Sequence, residues 1–412
     1  MYYEKNEGIK LNEVVIASAC RTPIGKFGGA LQKFTAAELG ALVIKEALAR
    51  AGVEPEKVDY VFMGQVLTAG CGQVPSRQAS IKAGIPSLTP SITINKVCSS
   101  GIKAIDLAVQ MIQIGRADIC VAGGMESMSS VPYGLPDMRW GVKMGVPSRD
   151  VIDLMIVDGL WCSFYDRHMA VHGSVVSREF GVTREEQDEW AFYSQTMANR
   201  AIANGALKDE IKPVELNRNG NKSKTVIFDT DEGPRADTTL EALAKLPPIF
   251  DPEGTVTAGN APGLNDGAGA AVLMTREKAV QLGIKPLCEI LGYAEVSQDP
   301  KYIATVPGLS IKKLLNRTGY SLNDMKLIEI NEAFAAVAMV SGKIILGMSD
   351  TDMRSRVNVN GGAIAFGHPI GATGARIAMT MAYELRRRGG GIGICGICSG
   401  AAQGDAMLIK VD

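Results

Sequence analysis

The chain alternates short hydrophobic runs with stretches whose apolar residues recur at helical spacing. Residues 12–19 form a short run rich in β-branched side chains, and residues 58–63 form a similar one. Between them, residues 36–51 place apolar side chains at intervals of three and four, and Gly52 supplies a helix stop. Strands that alternate with helices at this spacing predict an α/β fold built from βαβ units, with a mostly parallel sheet.

The pattern changes over residues 131–261. Trp, Met, Pro and charged residues become frequent there, and residues 184–204 carry a strong helical pattern that is followed by long loops. We interpret this stretch as an inserted loop domain. The sequence therefore predicts an N-terminal half at residues 1–130, completed by about residues 262–284, and a C-terminal half at residues 285–412.

The two predicted halves repeat the same order of hydrophobic segments. The matching pairs are residues 59–64 and 327–331, residues 92–95 and 357–360, and residues 119–124 and 394–400. After the second pair, 3 steps separate Asn95 from Cys98, whereas 11 steps separate Asn360 from Gly371. The second half thus carries an insertion of 8 residues, and this insertion contains His368.

Cys98 is the first candidate for chemistry. It follows a predicted strand and precedes apolar positions at helical spacing, so we expect its thiol at the N-terminus of a helix. Backbone N–H groups and the positive end of the helix dipole favour a thiolate there, which predicts a pKa below the usual value of about 8.5. A small residue at a tight junction between strand and helix is the alternative.

His368 and Cys398 are two further candidates. His368 lies between Gly367 and Pro369 in a glycine-rich loop that leads into a predicted helix, where a base could activate a cysteine. Cys398 ends an apolar run and precedes nearly bare backbone, which can present N–H groups to an oxyanion.

The spacing Cys395-x-x-Cys398 also suggests a redox pair or half of a zinc site. No second pair occurs in the sequence, and three steps along a strand place the two side chains on opposite faces.

Composition and charge narrow the classes of function. The 412 residues are 46% hydrophobic and 21% charged, as in a globular protein too long for one core. Lys and Arg number 43 against 44 Asp and Glu, so no global field favours nucleic acid or an anionic membrane as a partner. Neither a signal peptide nor a transmembrane run is visible, and eight scattered cysteines do not form a disulfide framework. We expect a cytoplasmic protein with reduced thiols.

Four ordered motifs resemble those of the thiolase family, and the similarity extends from Glu13 to the C-terminus. The motifs are Asn95-Lys-Val-Cys-Ser-Ser-Gly, Asn331-Glu-Ala-Phe, Gly367-His-Pro-Ile-Gly-Ala-Thr-Gly and Cys398-x-Gly. The resemblance implies a five-layered αβαβα fold of two similar halves, a loop domain that holds coenzyme A, and a homotetramer or homodimer. It also implies an acyltransferase that condenses two acetyl-CoA into acetoacetyl-CoA, or that thiolyses 3-ketoacyl-CoA. Coenzyme A and its thioesters would be substrates, with no cofactor and no metal.

The same resemblance gives each motif residue a role. Cys98 would be acylated by a thioester after His368 has helped to deprotonate it. Cys398 would remove a proton from the methyl group of the incoming acetyl-CoA, or protonate the departing carbanion in cleavage. His368 and a water held by Asn331 would form one oxyanion hole, and the backbone N–H groups of Cys98 and Gly400 would form the other.

Substrate contacts are implied in the same way. His168 and Met169 look like the short-chain branch of the family, in which this histidine faces the pantetheine arm. Residues 138–145 look like the cationic loop used in tetramer assembly. The other implied contacts to coenzyme A or the acyl group are Arg235 toward the nucleotide, the pocket walls Phe250 and Phe334, and the positions Ala258, Pro262 and Leu264.

The chain departs from the family pattern in the segments that face coenzyme A. Residues 170–174 replace a capping and hydrogen-bonding cluster, and Pro247 stands where the family has arginine. Pro262 stands where the family has a serine whose hydroxyl helps to hold pantetheine. Proline offers no donor, so we expect looser or shifted binding of coenzyme A.

Two alternatives accompany the thiolase interpretation. The first is a condensing enzyme, either a ketoacyl synthase with a Cys-His-His type of site or a hydroxymethylglutaryl-CoA synthase with a Cys-Glu-His type of site. Neither enzyme has a cysteine at the position of Cys398. A non-catalytic subunit that binds acyl-CoA or serves as a scaffold would fit the altered loop domain. Such a subunit needs no nucleophile or acid–base pair. The presence of four motif residues therefore favours the enzyme, namely Cys98, Asn331, His368 and Cys398.

Overall fold

The computed structural model describes residues 11–141, 144, 150–217 and 225–412. The strands within these ranges are β1 (Val14–Arg21), β2 (Gly25–Lys26), β3 (Tyr60–Gly64), β4 (Ser91–Ile94), β5 (Ile119–Ser127), β6 (Tyr133–Gly134), β7 (Ile152–Asp153), β8 (Trp161–Cys162), β9 (Arg167–His168), β10 (Val214–Asn217), β11 (Thr225–Phe228), β12 (Asn265–Thr275), β13 (Cys288–Ser297), β14 (Leu327–Ile330), β15 (Gly391–Ser399) and β16 (Gln403–Val411). The helices are α1 (Ala36–Ala51), α2 (Pro75–Lys82), α3 (Ser100–Gln113), α4 (Met169–Glu179), α5 (Arg184–Ala203), α6 (Leu240–Ala244), α7 (Arg276–Gln281), α8 (Val306–Thr318), α9 (Ala335–Met339), α10 (Asp350–Arg356), α11 (Ala363–Phe366) and α12 (Ile370–Arg387). None of these helices combines the length and the apolar character that a transmembrane span requires.

The first predicted helix forms with the predicted bounds. Thr35 and Glu38 close a capping box at its N-terminus, in which the Thr35 hydroxyl accepts the Glu38 N–H and the Glu38 carboxylate accepts the Thr35 N–H. Gly52 ends the helix in the left-handed conformation with φ 64°, which costs glycine little. The long helix predicted at residues 184–204 is α5 and ends one residue earlier.

The main sheet has the strand order β14-β15-β16-β13-β1-β12-β5-β3-β4, with β2 paired to β12. Its two halves join at a narrow seam, because β1 and β13 pair at only two positions, Val15 with Glu289 and Ile16 with Cys288. The prediction of a mostly parallel sheet was wrong: β1, β5, β12, β13, β15 and β16 form antiparallel pairs. A short turn joins β15 to β16, whereas the other antiparallel neighbours lie far apart in the chain.

The internal repeat predicted from the sequence is confirmed by the pairing pattern. In the first half, β4 to β3 and β3 to β5 are parallel, and β5 to β12 and β12 to β1 are antiparallel. In the second half, the bridge at Val357 to β14 and the pair β14 to β15 are parallel, and β15 to β16 and β16 to β13 are antiparallel. The helices α3 and α12 follow matching strands, and α12 comes after the inserted residues.

Buried cores fill the space between the layers, and the main ones lie as follows. One core lies between α1 and the first half-sheet and includes Val43 and Val121. The central core lies between the two half-sheets, around α3 and α12, and includes Ile105 and Ile377. The third lies outside the second half-sheet, under α8, and includes Leu314. The predicted αβαβα fold is therefore confirmed.

Glycines let the backbones of the central layer come into direct contact. A Cβ on Gly101 would lie 2.8 Å from the nitrogen of Ala375, and one on Gly374 would lie 2.7 Å from the backbone of α3. A Cβ on Gly124 in β5 would lie 2.0 Å from the carbonyl oxygen of Gly371. Since real Cβ contacts this short do not occur, only glycine allows the N-terminal turn of α12 to approach both α3 and β5.

A buried carboxylate fixes α5 to the second half. Glu332 accepts hydrogen bonds from Trp190 Nε1 at 3.0 Å and from Ser194 Oγ at 2.8 Å, both on α5. It also accepts from Asn358 Nδ2 at 2.8 Å and from the N–H of Ile364 at 3.1 Å. A buried carboxylate with four donors holds its surroundings firmly, because losing a donor leaves buried charge unsatisfied.

The boundaries of the three predicted units stay a prediction. The strand β12, at residues 265–275, lies between β1 and β5 in the first half-sheet, although it follows the predicted loop domain in the chain. Of the predicted cationic loop at residues 138–145, residues 142, 143 and 145 lie outside the described residues.

We expect Gly124→Ala to lower the free energy of unfolding by roughly 1–3 kcal/mol, because the added methyl group meets the backbone of α12 and the layers must separate. Denaturation with guanidinium chloride, followed by tryptophan fluorescence, measures the change. Gly263→Ala is the control, since its Cβ would lie 3.9 Å from its nearest neighbour, an ordinary contact. Equal stability of the two variants would contradict the proposed close packing.

Candidate active site

An apolar pocket of about 270 Å³ opens where the two halves meet the segment between them. Its walls come from the N-terminal ends of α3 and α12, the turn after β15 and residues of the predicted loop domain. Nine residues singled out in the sequence line it, namely Cys98, His168, Met169, Phe250, Pro262, Leu264, Phe334, His368 and Gly400. The repeat therefore brings Cys98 and His368 together from opposite halves.

Cys98 lies two residues before the first residue of α3 and is 7% exposed. Burial raises the pKa of its thiol to about 12, although the N–H groups of Gly400 and of Cys98 itself act in the opposite direction. The buried carboxylate of Glu126 raises this pKa further. The expectation of a lowered pKa was wrong, because loss of water around the sulfur outweighs the backbone donors near the helix N-terminus.

His368 directs one ring nitrogen toward the pocket. Its Nδ1 lies 2.7 Å from Thr373 Oγ1, and the Thr373 hydroxyl donates its proton to the Pro369 carbonyl at 2.9 Å. The hydroxyl oxygen can then only accept from His368, which assigns the ring proton to Nδ1 and leaves Nε2 with a free lone pair. Nε2 is buried and has no hydrogen-bond partner within the described ranges. Burial, assisted by Arg376, lowers the pKa of His368 to about 3, so the ring is neutral.

Asn331 and Cys398 lie behind the pocket wall rather than on it. Asn331 follows β14, and both its Oδ1 and Nδ2 are buried without a hydrogen-bond partner among the residues described. Buried amides are rarely left unsatisfied, so this side chain marks a position for a polar ligand or a water. Cys398 is fully buried on β15, and burial raises the pKa of its thiol well above the usual value, with Cys98 as a further contribution.

An aromatic pair stands at the entrance to the pocket. The rings of His168 and Phe250 stack with centroids 3.8 Å apart and planes 17° apart. His168 Nδ1 accepts the N–H of Ala170 at 3.1 Å, and burial lowers the pKa of His168 to about 4. Phe250 is 62% exposed and has a left-handed φ of 61°. A neutral, stacked imidazole presents an apolar face to whatever enters.

Two predicted contacts lie away from this pocket. Arg235 is exposed, and its backbone N–H donates to Gln195 Oε1 at 2.8 Å. Ala258 is exposed as well, and neither residue belongs to the pocket lining.

Much of the wall was not identified from the sequence. The additional lining residues are Val97, Met128, Ile156, Gly159, Leu160, Ile249, Ala261, Gly263, Ile303, Ala333 and Ile370. Most are ordinary apolar residues that no motif distinguishes from the core. Val97, Ala333 and Ile370 stand within the recognised motifs, so their places beside Cys98, Phe334 and His368 were the available signal.

The backbone is strained on both sides of the pocket. Val97 has a φ of 47°, a left-handed conformation that is unusual for a β-branched residue. Ala401 and Ala402, in the turn between β15 and β16, have φ values of 60° and 48°. Such residues cost of the order of 1–3 kcal/mol each and occur where function requires a particular geometry.

These groups together can carry out covalent acyl transfer. A thiol lies beside backbone donors from both halves, a neutral imidazole offers Nε2 as a base, and a second thiol lies behind the first. No group of three or more His, Cys, Asp or Glu side chains suited to a metal ion occurs in the parts of the chain that the structure describes.

Comparison with known proteins agrees with this geometry. Residues 14–277 match the family "Thiolase, N-terminal domain", and residues 284–411 match "Thiolase, C-terminal domain". An acetyl-CoA acetyltransferase of Cupriavidus necator is 50% identical over 97% of this chain and 100% of its own length. One of Syntrophomonas wolfei is 46% identical over 97% of this chain and 99% of its own length. The crystal structure of the Bacillus anthracis acetyl-CoA acetyltransferase superposes with a TM-score of 0.93 at 41% identity, covering 98% of this chain and all of that one. With its two halves, its paired thiols and its neutral histidine, this chain belongs to the thiolase family.

Proposed function

We propose that the chain is an acetyl-CoA acetyltransferase, which condenses two acetyl-CoA into acetoacetyl-CoA and coenzyme A or catalyses the reverse thiolysis. The observation that carries the proposal is the joint placement of Cys98 and the unpaired Nε2 of His368 on one apolar pocket, with Cys398 near enough for Cys98 to affect the pKa of its thiol. The relatives named above support it, because they carry this name and match over nearly their whole length. Coenzyme A and its thioesters are the substrates, and no cofactor or metal takes part.

In the first half-reaction, Cys98 attacks the thioester carbonyl. Its thiol has a pKa near 12 and the imidazole of His368 one near 3, so a stable ion pair does not form before substrate arrives. The Cys98 proton passes to Nε2 as the carbon–sulfur bond forms. The N–H groups of Cys98 and Gly400 then stabilise the oxyanion, and loss of one such donor typically costs about 2.7–4 kcal/mol of barrier. The bond to the sulfur of coenzyme A then breaks, and the leaving thiolate takes the proton of Cys398, which becomes a thiolate.

In the second half-reaction, the Cys398 thiolate removes a proton from the methyl group of a second acetyl-CoA and becomes a thiol again. The enolate oxygen is stabilised by Nε2–H of His368, which still carries the Cys98 proton, and by a water on Asn331, which would satisfy the unpaired amide. The enolate carbon attacks the acyl group on Cys98, and the leaving sulfur takes its proton back from His368. In thiolysis, Cys98 attacks the keto carbonyl of 3-ketoacyl-CoA, and Cys398 protonates the acetyl-CoA carbanion that departs as the carbon–carbon bond breaks. Coenzyme A, with its proton passed to Cys398, then attacks the acyl-enzyme and releases Cys98.

Coenzyme A reaches the site past the aromatic pair of His168 and Phe250. Met169, Pro262, Leu264 and Phe334 surround the pantetheine arm and the acyl group, as their place in the pocket supports. The exposed positions of Arg235 and Ala258 suit contacts with the nucleotide end, which stays near solvent. The short pocket and the neutral His168 favour a short acyl group.

We further propose assembly into a homotetramer or homodimer and a cytoplasmic location. Large apolar side chains are exposed along the segment after β5, which supports an association surface. These are Tyr133, Leu135, Met138, Trp140 and Val151. All eight cysteines are free, which fits a reducing compartment.

Incubation with acetyl-CoA should add one acetyl group to the protein, and Cys98→Ala should abolish the addition, since Cys98 is the proposed nucleophile. Mass spectrometry of the intact protein detects the adduct. Cys71→Ala is the control, because Cys71 is a half-buried cysteine outside the pocket. A wild-type protein that binds acetyl-CoA without an adduct would support the non-catalytic alternative instead.

The neutral state of His368 has a measurable effect on stability. Its folded pKa of about 3 lies below the usual value of about 6.5, so below pH 6.5 the unfolded chain binds a proton that the folded chain does not. This group therefore leaves stability unchanged above pH 6.5 and lowers it progressively as the pH falls toward 3. At pH 5 the loss is about 2 kcal/mol.

We expect the wild type to lose about 2 kcal/mol more than His368→Asn between pH 7.5 and pH 5. Unfolding in guanidinium chloride at both pH values gives the difference. His168, whose pKa is also lowered, is present in both proteins and cancels. An equal loss in the two proteins would show that His368 is protonated in the folded state.

Pro262→Ser should tighten the binding of coenzyme A, because a hydroxyl would be restored at a position that lines the pocket. A hydrogen bond worth about 0.5–1.5 kcal/mol corresponds to a Kd lower by roughly 2- to 10-fold. Isothermal titration calorimetry measures the Kd. Pro262→Ala removes the ring without supplying a hydroxyl and separates the two effects. If serine binds no more tightly than alanine, the idea that Pro262 weakens binding fails.

A further inference from the structure

The nucleophile turn, residues 95–98, lies against the turn that connects β15 and β16. Both turns contain left-handed residues, Val97 in one and Ala401 and Ala402 in the other. A Cβ on Gly400 would lie 3.3 Å from Val97 Cγ1, so the two turns pack against each other directly. Strained backbone persists only when surrounding contacts hold it in place.

An ion pair crosses from one turn to the other half. Lys96 Nζ donates to Asp405 Oδ1 at 2.7 Å and to Glu295 Oε2 at 2.6 Å. Asp405 is fully buried on β16 and pairs with Ile397 of β15, next to the pair of Cys398 with Gly404. The ammonium of the first half is therefore held against β15 at the position before Cys398, on the face opposite to the Cys398 side chain.

Main-chain contacts support this ion pair. The Ser399 hydroxyl donates to the carbonyl of Lys96. The Lys96 N–H donates to Ser100 Oγ at 2.8 Å, which ties the turn to the first residue of α3. The segment between Lys96 and Ser100 is thus held at its carbonyl, its amide and its side chain.

The buried carboxylate of Asp405 depends on the ammonium of Lys96 for its charge partner. Its Oδ1 accepts from Lys96 and from the phenol of Tyr293, whereas its Oδ2 is buried with no hydrogen-bond partner within the described part of the chain. Lys103, on α3, pairs with Asp106 at 2.8 Å and with Glu295 at 3.4 Å. Lys103 therefore makes similar surface contacts and serves as a natural comparison.

We propose that Lys96 and Asp405 form a positioning pair that sets the distance between the N–H groups of Cys98 and Gly400. The inference rests on the proposed function, in which these two groups form an oxyanion hole. One donor comes from each half, so the hole has the correct width only when the two turns keep a fixed separation. On one side the ion pair holds Lys96, two residues before the Cys98 N–H. On the other side it holds Asp405 on β16, which pairs with β15, the strand that leads to Gly400. Lys96 contacts no reacting atom and acts through the turn.

The test compares two reactions of the same sulfur. Transfer of an acetyl group from acetyl-CoA to Cys98 needs the oxyanion hole, whereas alkylation of Cys98 by iodoacetamide forms no oxyanion. Lys96→Met keeps the length of the side chain and removes the charge. We expect it to slow acetylation in a single turnover by about 100-fold, the size of effect produced by a displacement of about 1 Å at a reacting centre. Alkylation of Cys98 should slow much less than acetylation, because burial, rather than the Gly400 N–H, has the largest effect on the pKa of this thiol. The KM for acetyl-CoA should change little.

Three control variants separate positioning from folding. Lys103→Met should acetylate at the wild-type rate, because it leaves the contact with Asp405 intact. Lys96→Arg should recover most of the rate, since a guanidinium can still donate to Asp405. Lys96→Met with Asp405→Asn removes the unpaired buried charge, so it should restore thermal stability but leave acetylation slow.

Each outcome decides the question. Wild-type acetylation in Lys96→Met would overturn the positioning role, as would an equal loss of alkylation and acetylation. Full recovery of acetylation in the double variant would also overturn it, because the defect would then come from the buried charge. A wild-type protein that is alkylated at Cys98 but never acetylated would instead refute the proposed function, and the oxyanion hole with it.

Discussion

The direct backbone contact between α3 and α12 determines where the functional groups lie. Gly101 and Gly374 allow the two helices to touch, and Gly124 admits the first turn of α12 to the first half-sheet. Cys98 precedes α3 and His368 precedes α12, so the ends that meet carry the proposed nucleophile and the proposed base. A larger residue at any of these glycines would separate the halves, and with them the two reactive groups.

Burial determines the protonation states of the side chains at this contact. The central layer excludes water from Cys98, His368 and Cys398. Burial raises the pKa of the two thiols and lowers the pKa of the imidazole, so all three groups are neutral. A resting site without charge suits an apolar pocket, because a preformed ion pair would be costly there. Charge then develops only as substrate reacts, next to backbone dipoles that are already in place.

The sequence predicted those parts of the structure that depend on local patterns. The capped helix α1, the long helix α5 and the internal repeat follow from periodicity, capping residues and matching segments. Cys98, His368 and Cys398 were singled out because each stands next to the end of a predicted element and within a motif that resembles the family's. Strand direction was predicted wrongly, since pairing depends on residues far apart in the chain. The pKa of Cys98 was predicted wrongly because a helix terminus is visible in sequence and burial is not.

Long-range contacts account for most of what the sequence did not reveal. Lys96 and Asp405 are 309 positions apart, and no local pattern connects them. The apolar pocket walls are drawn from six or more separate segments and resemble core residues in composition. The left-handed conformation of Val97 is equally hidden, because valine rarely adopts it.

Cys398 and Gly400 lie within one hairpin, two residues apart, on either side of the end of β15. The proposed acid–base thiol and one proposed oxyanion donor therefore belong to a single structural unit. A substitution that shifts this hairpin would therefore alter both proposed steps at once, the acyl transfer to Cys98 and the proton transfer by Cys398. Divergence of substrate preference is thereby directed away from the catalytic centre, toward the separate chain segment that forms the entrance.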